Sequence, residues 1–91
     1  MTERQIINLI EVTLKEKMEQ NENFIRYSFY EINVKYSEQY KLSSQDIKMF
    51  LKLLRLKLEN NNYQVYLEGQ KFEYKNAKMI VQSNEVLIAI K

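Results

Sequence analysis

Gln45, Lys48, Lys52 and Arg55 recur at helical spacing, so a helix over residues 44–60 would carry them as one polar stripe, closed at its end by Glu59. An amide and three cations in a row suit the edges and phosphates of a DNA major groove. Gln45 and Lys48, near the helix start, would reach base edges; Lys52 and Arg55 would reach bases or phosphates. The same stripe also serves as plain solvation of an exposed face, and both readings stay open. Beside it, Met49, Leu53 and Leu56 form a second apolar strip at i, i+4 and i+7. That strip either packs under the rest of the fold or forms a subunit or partner surface.

Positive charge gathers in this segment. The chain holds 14 Lys and Arg against 12 Asp and Glu, a net +2. Residues 41–58 nevertheless hold Lys41, Lys48, Lys52, Arg55 and Lys57 against Asp46 alone, while residues 1–40 are net acidic and residues 59–91 balance. The basic character is therefore local. Lys71, Lys75 and Lys78 form a second group, placed to meet backbone phosphate or a minor groove.

The rest of the composition narrows the chemistry. There is no cysteine and no histidine, which excludes disulfides, Cys/His zinc sites, thiolate catalysis and any triad with a histidine base. The absence of cysteine fits a reducing cytoplasm. Asp46 is the sole aspartate and sits where a helix start uses it. No pair of glutamates lies in an apolar setting that would raise a pKa, and there is neither a phosphate loop nor a dinucleotide fingerprint. The expectation is a binding protein without cofactor or metal, not an enzyme. Apolar runs are too short to span a membrane, and no apolar signal segment opens the chain. Ninety-one residues, 45% hydrophobic and 29% charged, fit one globular domain. The 7 Tyr and 4 Phe invite base stacking. Tyr63, Tyr66, Phe72 and Tyr74 are better read as strand-forming core residues, and Tyr27, Tyr30, Tyr36 and Tyr40 as core or rim.

Several elements must position these groups. Residues 3–20 place Ile6, Ile7, Leu9, Ile10, Leu14 and Met18 on one arc, with Thr2 and Gln5 spaced as a capping box. Residues 44–60 start at a Ser43/Asp46 box, bury Ile47, Phe50, Leu51, Leu54 and Leu58, and stop at Asn60, Asn61 and Asn62. Residues 24–40 are ambiguous. Tyr30, Ile32, Val34 and Tyr36 alternate as in a strand, whereas Phe29, Ile32, Tyr36 and Tyr40 share a helical face. A Ser28/Glu31 capping box and a Tyr27/Ile32 staple favour a short strand at 24–27 followed by a helix at 29–39. Residues 63–67 and 71–75 read as a hairpin about Gly69, the only glycine in a chain without proline. Residues 78–82 and 86–90 are further short apolar runs.

The order is helix, short strand, helix, a turn at Lys41, Leu42 and Ser43, a third helix, then hairpin. With Ser28–Ile32, Leu42–Leu51 and Leu58–Val65 carrying the match, it resembles the winged helix-turn-helix domains of small DNA-binding proteins, including those of phages and mobile elements. Asn62 and Tyr63 stand where that family's pattern has glycine and an aromatic. The resemblance implies an α+β fold, winged helix-like, with three helices and a C-terminal β-hairpin or small antiparallel sheet. It also implies a cytoplasmic transcriptional regulator on duplex DNA. A homodimer reaching two half-sites fits that reading and would bind with steep salt dependence. The alternatives are a protein-interaction module that blocks a host enzyme through Met49, Leu53, Leu56 and exposed tyrosines, or a structural subunit of a larger assembly.

Overall fold

The computed structural model describes residues 1–36, 38, 39 and 41–91. The first helix, α1 (Glu3–Gln20), opens on a complete capping box: the Gln5 N–H donates to Thr2 Oγ1 (3.2 Å) and the Thr2 N–H to Gln5 Oε1 (2.9 Å). Reciprocal bonds of this kind satisfy donors that a helix start leaves orphaned. At its far end, Asn21 Oδ1 accepts from the Asn23 and Phe24 backbone N–H groups and turns the chain into β1 (Phe24–Ser28).

The ambiguity over residues 24–40 resolves as strand and then helix. β1 is followed directly by α2 (Phe29–Lys35). A continued strand would turn Tyr30, Ile32 and Val34 to one face. The structure separates them: Ile32 is buried, whereas Tyr30 is 68% and Val34 61% exposed. Tyr30 is thus neither core nor rim. Ser28 Oγ accepts the Glu31 N–H (3.4 Å), but the Glu31 carboxylate pairs with Arg26 (3.3 Å), so half of the expected box forms. The helix also ends earlier than residue 39, at a C-cap on Tyr36. α2 ends at Lys35 and α3 begins at Ser44, so the two helices are separated by more than the expected three-residue turn. Asn33 Oδ1 accepts the Leu42 N–H (2.9 Å), and Leu42 is buried in the core. Ser37, inside the expected helix, and Tyr40, placed on its face, lie outside the described residues.

The helix α3 (Ser44–Asn60) matches the sequence reading at both ends. The Asp46 N–H donates to Ser43 Oγ (3.2 Å) and the Ser43 N–H to Asp46 Oδ2 (2.9 Å). Asn62 adopts a φ of 68°, letting the Tyr63 N–H reach back to the Leu58 carbonyl (3.0 Å). Phe50, Leu54 and Leu58 are fully buried against Ile6, Leu9 and Ile10 of α1; Ile47 and Leu51 are half-buried beside them. The Met1 amino group lies 3.3 Å from Asp46, and Lys57 lies 3.8 Å from Glu11. These two contacts, start to start and middle to end, show that α1 and α3 run side by side in the same direction, held by the apolar rows between them.

The strands pair differently from expectation. The remaining elements are β2 (Gln64–Tyr66), β3 (Lys71–Tyr74), β4 (Ala77–Ile80) and β5 (Val86–Ile90). β2 does not form a hairpin with β3. It pairs antiparallel with β5, giving a three-stranded sheet of order β1-β5-β2. The reason lies in β5, which is apolar on both faces. Leu87 and Ala89 enter the main core under the helices, while Ile88, with Val86 and Ile90, belongs to a second cluster. Such a strand belongs in the centre of a sheet covered on both sides. Gly69 does adopt a positive φ of 82°, and the Gln70 N–H closes its turn on Leu67 O (2.9 Å). That turn moves the chain to another layer instead of continuing a ladder. The hairpin that forms joins β3 to β4 through Lys75 (φ 50°) and Asn76 (φ 67°). Two successive positive φ values are the geometry that two-residue hairpin turns require. Phe72 of this hairpin, with Val81, packs on Phe24, Tyr66 and Ile88 across the sheet's outer face. The layers are thus helices, sheet and hairpin.

Candidate nucleic-acid interface

Gln45, Lys48, Lys52 and Arg55 are all exposed on α3. The complete cap and the buried row Phe50–Leu54–Leu58 fix the rotation of the helix about its axis, and the stripe therefore faces outward. At the helix start, the Ser43 backbone N–H holds the Asp46 carboxyl below the usual carboxylate range. Asp46 is consequently committed to the cap and to the Met1 amine.

The stripe's cations differ in their partners. Arg55 Nε donates to Glu59 Oε1 at 2.7 Å, an i,i+4 pair that neutralises the end of the row. Lys48 and Lys52, one helical turn apart, form no ion pair among the described residues. With Gln45 a further turn-length toward the helix start, they are the available donors for an anionic or base-edge partner.

The apolar strip divides. Leu53 is half-buried and packs on the main core, whereas Met49 is 40% and Leu56 51% exposed next to the lysines. Lys71 and Lys78 are exposed on the hairpin, where Lys78 stands opposite Glu73 and Lys71 opposite Ile80. Lys75 occupies the tip with its ammonium 5.4 Å from the Tyr74 ring centre. These three lysines sit in the layer beyond the sheet, and the structure does not join them to the α3 stripe in one surface. The aromatics proposed as core are largely so. Tyr63 is buried and its hydroxyl donates to the Glu22 carbonyl; Phe72 is buried; Tyr66 and Tyr74 are half-buried.

Sequence reading missed Arg26. Alternation along β1 sends Ile25 and Tyr27 into the main core and Arg26 to the opposite, outer face. That period-two signal was present, but its significance depends on which strand lies alongside. Among the described residues, no group of three His, Cys, Asp or Glu side chains is arranged to hold a metal ion, and no helix is long and apolar enough to cross a membrane. Comparison with protein-family profiles, with characterised proteins and with solved structures finds no match to this chain. Among the described residues, the structure is a small α+β fold of three helices and antiparallel sheets.

Proposed function

We propose that this chain binds duplex DNA through α3, in the manner of a winged helix-turn-helix domain, and acts as a small regulator by occupying a site. The observation that carries the reading is the pair Lys48 and Lys52, exposed, one turn apart, without an intramolecular carboxylate among the described residues, and preceded by Gln45. A capped helix with its core face buried presents such side chains at the spacing a major groove accepts. The order α1-β1-α2-α3 followed by antiparallel strands agrees with the resemblance. The long connection between α2 and α3 departs from the short turn of that pattern, and α3 is therefore the part of the match on which binding depends.

Gel-shift titration against mixed-sequence duplex at two ionic strengths tests it. The expected result is retardation that weakens steeply with salt and is abolished in the double variant Lys48→Glu, Lys52→Glu, with helix content unchanged. Absence of retardation at low salt rejects the proposal.

A second reading has an observation of its own. Met49 and Leu56 are exposed beside the stripe, and a protein partner would cover them. In that reading the chain is an interaction module, either toward a host enzyme or toward its own second copy. Loss of a salt-resistant complex on Leu56→Asp, with DNA binding absent throughout, would favour it.

A further inference from the structure

The β3–β4 hairpin packs on the outer face of the sheet. It rests on the outer face through rings: Phe24 and Phe72 are 6.4 Å apart between centroids, Phe24 and Tyr74 4.7 Å, and Tyr66 and Phe72 5.7 Å. Beside these rings, and lined in part by Phe24, Tyr66 and Phe72, a groove of about 1210 Å³ opens between hairpin and sheet. Val86 and Ile88 contribute from the sheet, and Met79 and Ile80 of β4, both exposed, from the hairpin. The volume is slightly above the range usual for small-molecule pockets, and much of the lining is apolar, as in such pockets.

The charged groups at the groove are unequal in sign. Arg26, Lys71 and Lys78 line it against one carboxylate, Glu73. Arg26 gives one nitrogen to Glu31 at 3.3 Å, outside the lining, and its side chain stays half exposed, so further guanidinium donors are free to bind. Lys71 and Lys78 form no ion pair among the described residues. Glu73 stands opposite Lys78 in the β3–β4 ladder and offsets part of its charge. An apolar trough with a cationic margin matches a molecule with an extended hydrocarbon body and one anionic head. Phe24, Tyr66 and Phe72 also line the groove, so its wall is partly aromatic and partly aliphatic.

We propose that the groove between the β3–β4 hairpin and the outer face of the β1-β5-β2 sheet binds an unbranched medium-chain carboxylate, its chain on Val86, Ile88 and Met79, which shares the sheet-facing side of the hairpin with Phe72, and its head group on Arg26 and the lysines at the margin. The proposal is independent of whether α3 binds DNA, since the two surfaces lie on opposite sides of the sheet.

Calorimetric titration of the full chain with decanoate tests it, with decanol and decyltrimethylammonium as head-group controls. The expected result is saturable binding of decanoate to a single site, weaker binding of decanol and none of the cation. The double variant Arg26→Gln, Lys78→Gln alters exposed side chains and should weaken decanoate by about tenfold, the loss expected for hydrogen bonds to a charged group. Met79→Asp, also at an exposed position, should abolish binding, whereas Met49→Asp on α3 should leave it unchanged. Backbone amide shifts on decanoate addition should cluster on β1, β4 and β5. No saturable heat, equal affinity for all three head groups, indifference to the Arg26/Lys78 variant, or shifts centred on α1 and α3 would each overturn the assignment.

Discussion

Ser43 and Asp46 show how single residues orient the candidate site. Their reciprocal bonds start α3 at a defined residue, which sets where Gln45 emerges in the first turn and Lys48 and Lys52 one and two turns after it. Ser43→Ala should lower unfolding free energy by about 1 kcal/mol, the usual worth of an N-cap, as measured by urea denaturation. Asp46 adds a pH dependence with a definite sign. Its carboxyl titrates below the usual range in the folded protein, chiefly through the Ser43 backbone N–H. The ionised form therefore favours folding above the ordinary carboxylate range, and that contribution disappears as pH falls through the lowered folded value. Asp46→Asn should flatten this part of the acid limb when unfolding is followed from neutral to acid pH. Tyr27 is a second case. It is buried, its hydroxyl lies 3.0 Å from Thr13 Oγ1, and burial pushes its phenol well above the usual range. Thr13 Oγ1 also reaches the Leu9 carbonyl (2.8 Å), so Tyr27→Phe removes one bond without stranding the threonine. The expected cost is about 1 kcal/mol in urea unfolding.

At the scale of elements, helix termini and faces were legible because their signals are local. A capping box occupies four residues, and a buried stripe repeats every three or four. α1 and α3 follow from these patterns, and Asn62 supplies the left-handed residue that ends α3. β1 and α2 were harder, since one set of residues satisfied both periods until Ile32 was buried and Tyr30 and Val34 were not. The strand partners were not legible. Pairing of β2 with β5 joins residues more than twenty positions apart, and Gly69 offered a nearer alternative. The actual hairpin turn uses Lys75 and Asn76, and lysine is an unfavourable choice for a positive φ. Replacing the pair by asparagine and glycine (Lys75→Asn with Asn76→Gly) should raise stability by about 1 kcal/mol in urea unfolding, because those residues tolerate that turn with little strain.

On the scale of the whole molecule, layering decides which charges act together. The sheet separates the α3 lysines from those of the hairpin, and Arg55 is tied to Glu59. A single copy therefore presents few free cations to one duplex. Each phosphate neutralised contributes a slope of about −0.9 in log K against log salt, so Lys48 and Lys52 alone predict a slope of about −2, and a two-fold pair about −4. Measuring the slope alongside sedimentation in the same buffers distinguishes the two arrangements. Met49 and Leu56 are exposed beside the stripe, so Leu56→Asp in the same sedimentation runs tests whether they are the contact of such a pair.

By itself, the amino-acid order determined the length and rotation of both long helices, the outward stripe of Gln45, Lys48, Lys52 and Arg55, and the absence of thiol and imidazole chemistry. Those properties depend on neighbours three or four residues away. Tertiary structure alone decided that β5 lies between β1 and β2, that the hairpin lysines face another direction, and that Arg26 borders a groove. Each of these depends on contacts between residues distant in the chain, and their geometry is set by which apolar faces must be covered at once.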